Sequence, residues 1–140
     1  MMTSLPKRNR KLDGGGGLPS ATFFHLGKVV AMKNLEIDIE SYSSTNLQKS
    51  GVYRYVEADD FEVMLFGYAV DGGEVKVIDL MNGEKIPKEI LVALTDETIM
   101  KWAFNAQFER VCLSRYLGYP TGAYLHPSSW KCSMVWSAYM

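Results

Sequence analysis

Two pairs of residues in this chain have the types and spacing to handle a hard cation or a phosphate. Asp38 and Glu40 lie two apart in Leu35-Glu36-Ile37-Asp38-Ile39-Glu40, and Asn105 and Glu109 lie four apart in Phe104-Asn105-Ala106-Gln107-Phe108-Glu109-Arg110. The first stretch alternates apolar and acidic residues. As a strand it places Leu35, Ile37 and Ile39 on one face and Glu36, Asp38 and Glu40 on the other. Carboxylates at i and i+2 then stand roughly 6.5–7 Å apart. Like charges at that distance repel, and a divalent cation relieves the repulsion, since Mg²⁺ prefers oxygen ligands and takes one or two carboxylates. In the second stretch Asn105 is an N-cap candidate, and Asn105 and Glu109 share a face of the helix it would start. A helix that begins at the C-terminal end of a central strand sits at the usual ligand edge of an open α/β sheet. Glu109 would then reach toward Asp38 and Glu40 if their strand is the neighbour. Each stretch also has a plain structural reading: a solvated acidic strand face, and a cap followed by an exposed helix residue.

The elements that must position these residues follow from the rest of the chain. Residues 41–46 are polar and loop-like, and 51–60 read as irregular, with Val52, Tyr53, Tyr55 and Val56 available to cover a core edge. Phe61 to Val70 is a long strand rich in Val, Phe, Tyr and Leu; Asp71-Gly72-Gly73 is a hairpin turn, and Val75 to Leu80 returns. Asn82-Gly83 marks a further turn. Pro87 opens a helix carrying Ile90, Leu91 and Leu94 at helical spacing. Ile99 to Phe104 is a short apolar strand of the parallel-sheet kind. The helix after Asn105 runs to about Leu117, stopped by Gly118 and Pro120. After a loop over 119–129, Trp130 to Cys132 is a last short strand, and Ser133 caps a final helix that begins at Met134. The order predicts an α/β mixed sheet, three antiparallel strands followed by parallel ones, with helices on both faces. The chain ends two turns into the final helix without a stop signal, the pattern of a domain truncated at its C-terminus.

Size and charge narrow the function classes. At 140 residues one domain is expected, and 47% hydrophobic with 22% charged residues is ordinary for a globular protein. Residues 1–32 carry five basic side chains and one acidic, whereas 33–140 carry ten basic and fifteen acidic. The globular part therefore lacks the broad basic footprint of a non-specific DNA binder, and cations would have to screen any phosphate locally. Residues 1–31 read as a basic, glycine-rich tail, with Lys7 to Lys11 and Gly14 to Gly17 as its marks, although Phe23-Phe24 and Val29-Val30 could form a short strand or an apolar contact. Residues 32–140 are the domain, and Met32 is a candidate initiator. Cys112 and Cys132 lack metal-ligand spacing and are expected to be reduced. No apolar run approaches the ~20 residues of a membrane span and no secretory signal opens the chain, so the expected location is the cytoplasm. His25 and His126 are read as surface residues.

Several stretches together resemble one group of enzymes: Ile37 to Ser44, Gly51 to Tyr55, Phe66-Gly67-Tyr68, Trp102 to Arg110, and Trp130 to Met134. They are similar to the N-terminal 3′–5′ proofreading exonuclease region of phage and prophage family A (DNA polymerase I-like) DNA polymerases. The first motif of that group is a strand ending Asp-x-Glu, matched by Asp38 and Glu40. The second is an Asn at a strand end followed four residues later by an acid, matched by Asn105 and by Glu109 where the family usually has Asp. The third motif, a Tyr or His followed by a metal-binding Asp, has no match in the chain. The resemblance implies a ribonuclease H-like fold and metal-dependent removal of nucleotides from single-stranded DNA 3′ ends inside a bacterial cell. It implies two divalent ions, Mg²⁺ or Mn²⁺, with Asp38 bridging, Glu40 on the nucleophile side and Glu109 on the second ion. Ser41, Tyr42 and Asn105 would contact the terminal nucleotide, and a polymerase domain would follow in the full-length protein. With the third carboxylate motif and that domain missing, weak or no activity is expected of the fragment alone. The alternative is a non-catalytic module that keeps the scaffold to bind nucleic acid or a replication protein.

Overall fold

The computed structural model describes the backbone of residues 22–25 and 28–30 and the whole of residues 31–135. The basic cluster at 7–11 and the glycine run at 14–17 lie outside the described residues. Strands β1 (Thr22–His25) and β2 (Lys28–Ala31) pair antiparallel in a two-stranded sheet of their own, inside the stretch read from sequence as a tail.

The main sheet is built around the acidic stretch. Strands β3 (Asn34–Tyr42), β4 (Glu62–Val70), β5 (Lys76–Asp79), β6 (Met100–Ala103) and β7 (Trp130–Cys132) lie in the order β5-β4-β3-β6-β7. Strand β4 runs antiparallel to both β3 and β5, while β6 runs parallel to β3 and β7 parallel to β6. Three antiparallel strands followed by parallel ones is the arrangement read from the sequence. In β3 the alternation holds: Leu35, Ile37 and Ile39 are buried, and Glu36, Asp38 and Glu40 are exposed. Between Glu40 and Ser41 the register with β4 shifts, a bulge that re-aims the end of the strand. The β4–β5 turn has Asp71 at φ 49° and Gly72 at φ 71°. The Asp71 carboxylate accepts the backbone N–H of Asn34 at 2.7 Å and of Lys33 at 3.1 Å, tying this turn to the start of β3.

Three helices complete the domain: α1 (Leu47–Glu57), α2 (Lys88–Thr95) and α3 (Ala106–Tyr116). The irregular segment expected over 51–60 is corrected to helix α1 as far as Glu57. The Asn46 side chain caps it by accepting the Lys49 N–H at 2.9 Å. Gly51 breaks it at φ 79° and ψ 167°, a left-handed φ that glycine takes without a Cβ penalty. Beyond the break, Val52, Tyr55 and Val56 recur at helical spacing and pack on the core. The return strand β5 is shorter than expected, because Leu80–Asn82 form a tight turn whose first free N–H, from Asn82, is taken by the Asp79 carboxylate.

The expectation of helices on both faces is also corrected: the described helices pack on one face. Helix α3 packs on β3, β4, β6 and β7, and α1 packs on α3. Glu89 and Ile90 of α2 share a cleft with Tyr68 and Val70, which lie on the Leu35 side of the sheet. The crossovers β5–α2–β6 and β6–α3–β7 traverse the sheet in the same direction, and right-handed crossovers running the same way land on the same side. One core results, centred on Leu35, Phe66, Leu94, Ile99, Val111 and Leu113. Both cysteines are free, with Cys112 buried in that core. No helix among the described residues is long and apolar enough to cross a membrane.

Candidate functional site

The acidic face of β3 and the first turns of α3 meet at the C-terminal end of the sheet, because β6 pairs directly with β3 and α3 follows β6. Asp38 and Glu40 are exposed on the open face of β3. Glu109, in the first turn of α3, is only 4% exposed, although helix starts usually hold acids in solvent, where the dipole favours them. Its Oε2 has no hydrogen-bond partner. Three buried side-chain polar atoms lack partners among the described residues, and this is the one that belongs to a carboxyl group. Burial pushes the Glu109 carboxyl up to about 7; its own backbone N–H pulls against this and the nearby Asp38 charge adds to it.

The surroundings of Glu109 are otherwise satisfied. Ser41 Oγ and Tyr55 Oη share a hydrogen bond at 3.0 Å, which ties the bulged end of β3 to α1. Tyr55 stacks at a tilt on Phe108, with ring centroids 5.9 Å apart. The thiol of Cys112, one turn beyond Glu109, is pushed up to about 12 by burial and by the Glu109 charge, against a hydrogen bond with Ser41. Asn105 occupies the N-cap position of α3, but its side chain makes no capping bond; only its carbonyl serves the helix, accepting the Phe108 and Glu109 N–H groups. Its amide is therefore exposed at the edge, as is Tyr42, which is 50% exposed at the end of β3. Glu36 lies on the same open face, further back along β3, and His126 is a surface residue within 2.9 Å of Glu97.

Beside Asp38 the open sheet face forms a cleft of about 520 Å³, floored by Gly67 and Ala69 and walled by Trp102, Phe104 and Val77. Gly67 pairs directly with Asp38 across β3 and β4. A Cβ there would stand 3.5 Å from the Asp38 carbonyl oxygen, so anything longer would grow into the space beside the carboxylate. The sequence did carry a sign of this, since a glycine inside a strand pattern often marks close approach. The Ser41–Tyr55 tie was out of reach, because residues 51–60 were read without a helix.

Among the described residues, no three His, Cys, Asp or Glu side chains are gathered into a ready cluster for a metal ion. The donors present are nonetheless all oxygen, and one of them, Glu109 Oε2, is buried and orphaned. That combination fits a hard divalent cation, and an unpaired buried polar atom in a native fold calls for such an explanation.

Fold and site together define a mixed α/β domain with an acidic patch at the C-terminal edge of its central strands. Over 104 residues, 74% of the chain, the sequence is 49% identical to a protein named DNA polymerase from Bacillus phage SP02. The chain spans 15% of that relative's length. No protein-family model matches the chain, and no solved structure matches it.

Proposed function

We propose that this chain is part of the 3′–5′ exonuclease region of a phage-type DNA polymerase, with Asp38, Glu40 and Glu109 as the carboxylates that hold two divalent ions, Mg²⁺ or Mn²⁺. The observation that carries the proposal is the buried Glu109 carboxyl with its unpartnered Oε2 beside the Asp38 charge. A ribonuclease H-like fold agrees with the sheet order, three antiparallel strands then two parallel, and the similarity to a phage DNA polymerase adds to it.

Bound divalent ions would supply a hydroxide near neutral pH and stabilise the leaving 3′ oxygen of a phosphodiester. The chain's own residues would do the rest. The β3 alternation aims Asp38 and Glu40 to the same side, and Glu109 at the start of α3 is close enough to feel the Asp38 charge. Asn105 and Tyr42, both exposed, would contact the terminal nucleotide. The Ser41 hydroxyl, sharing a hydrogen bond with Tyr55, fixes the end of β3 and would contact that nucleotide.

The test is digestion of 3′-labelled single-stranded DNA by the 140-residue chain with Mg²⁺ or Mn²⁺. A slow, cation-dependent loss of label that vanishes with Asp38→Ala and with Glu109→Gln supports the reading. Digestion that is unchanged by either substitution would sink it.

A second reading starts from the lack of a three-ligand cluster among the described residues. On that reading the chain binds nucleic acid or a replication protein without cutting. It predicts a salt-dependent DNA affinity that survives Asp38→Ala with Glu40→Ala and falls when residues 1–20 are removed.

A further inference from the structure

We infer that Tyr53, held by Gln107 and Tyr124, is a stacking platform for a base of a single DNA strand whose 3′ end lies at the Asp38–Glu109 edge. This deepens the exonuclease reading and rests on it. Tyr53 is 40% exposed, yet it is held at two points. Gln107 Nε2 donates to its hydroxyl at 3.0 Å, and the edge of Tyr124 props its ring with centroids 5.1 Å apart and planes at 65°. A solvent-facing tyrosine gains little stability from such bonds, because water would satisfy the hydroxyl equally well. What the arrangement does provide is an aromatic ring fixed in one orientation and still open on one side. Bases of every type stack on such a ring, which suits an enzyme that must accept any sequence.

The position of the platform follows from its neighbours. Tyr55, two residues on, turns inward to Ser41 and Phe108, which flank Glu40 and Glu109. Residues i and i+2 of a helix point to nearly opposite sides, so Tyr53 faces outward from the same turn of α1. Gln107 and Glu109 repeat this relation on α3: Glu109 is buried toward the sheet and Gln107 is exposed toward Tyr53. Gln107 and Glu109 are about 3 Å apart along the α3 axis but on nearly opposite sides of a helix about 10–12 Å across, so the platform lies across α3 from the acidic edge, a span of a few nucleotides of single strand. The break at Gly51 sets the direction of the helix half that carries Tyr53. Lys49 and Arg54 are exposed on the same helix and enter no ion pair among the described residues, which leaves them free to meet strand phosphates next to an otherwise acidic site.

The experiment measures binding of a 5′-fluorescein oligo(dT) single strand to the 140-residue chain by anisotropy, in EDTA so that no strand is cut. Tyr53→Ala and Tyr53→Leu should each weaken binding by roughly ten-fold, the loss expected for one stacked base. Tyr53→Trp should retain binding and show quenched indole emission at saturation, a signature that a merely structural tyrosine would not produce. Gln107→Ala should weaken binding a few-fold. Tyr53→Leu keeps the bulk against Tyr124, so it covers the case in which the alanine variant unfolds. Binding unchanged in a folded Tyr53→Leu variant, with no quenching in Tyr53→Trp, overturns the platform and leaves the exonuclease reading standing. Binding lost in Tyr53→Leu, with DNA digestion by the wild type that Asp38→Ala leaves unchanged, supports the platform and defeats the exonuclease reading. No binding by the wild-type chain overturns the platform.

Discussion

Lys101 and Glu109 are both buried charges, one near the start of β6 and the other in the helix that follows it. The fold treats them differently. Lys101 is 1% exposed, and its Nζ donates to the Asp96 carbonyl at 2.6 Å. Burial lowers it to about 8, and the Asp96 and Glu97 charges resist that fall. Glu109 is 4% exposed, but its Oε2 meets no donor, and the charge nearby, Asp38, has the same sign. One end of β6 thus buries a charge to close a structure, and the other buries a charge and leaves it open. An unmet carboxyl next to another carboxylate costs stability in the protein alone, which is the arrangement expected where a ligand is to supply the missing positive charge.

The largest expected effect tests the closed end. Lys101→Ala removes the donor to Asp96 and opens a cavity, and should cost about 2–4 kcal/mol in denaturant unfolding, or roughly 10 °C in Tm. Lys101→Met keeps most of the volume and should fall within about 1 kcal/mol of wild type. If methionine proved as damaging as alanine, the ammonium would matter beyond filling space, and the contrast with Glu109 would weaken.

Next in size is the pH dependence of metal-free stability, which should have two limbs. Glu109 is raised in the fold to about 7 from an ordinary 4.5, so the folded state holds the extra proton between those values. Its contribution is greatest at low pH and is lost as pH rises through about 7, by at most about 3 kcal/mol. Lys101 is lowered to about 8 from 10.5, so the unfolded state holds the extra proton between those values, and stability recovers as pH rises from about 8 to 10.5. Glu109→Gln should flatten the acidic limb alone and Lys101→Met the alkaline limb alone. Urea unfolding at a series of pH values checks both, and an acidic limb that persists in Glu109→Gln contradicts the assignment.

The smallest effect concerns the rim of the open end. Ser41→Ala removes the partner of the Tyr55 hydroxyl and should cost about 1 kcal/mol. A much larger loss would mean that the rim holds the site together in a way the Ser41–Tyr55 bond alone does not explain.

Much of the scaffold was legible before any coordinates. The period-2 alternation of residues 35–40, the Asp71-Gly72 turn and the apolar run before Asn105 placed β3, the β4–β5 hairpin and the β6–α3 unit. Helix α1 was not legible, because Gly51 interrupts its pattern and the Asn46 cap declares itself only in three dimensions. The one-sided placement of the helices depends on the direction of two crossovers, which local patterns do not reveal. At the site, the types and spacings of Asp38, Glu40, Asn105 and Glu109 could be read from the chain. That Glu109 is buried with an unmet oxygen could not, since a residue in a first helical turn is expected to face solvent. The support from Tyr55 and Tyr53 was hidden for the same reason as α1.

The central claim is that Glu109 and Asp38 are an acidic pair that takes a divalent cation, and the most direct measurement is thermal unfolding of the 140-residue chain at pH 8 against rising Mn²⁺. The predicted result is a saturating increase in Tm, equivalent to about 3 kcal/mol at a hundred-fold excess over Kd, that is lost in Glu109→Gln and in Asp38→Asn. No increase in the wild type, or the same increase in Glu109→Gln, would contradict it.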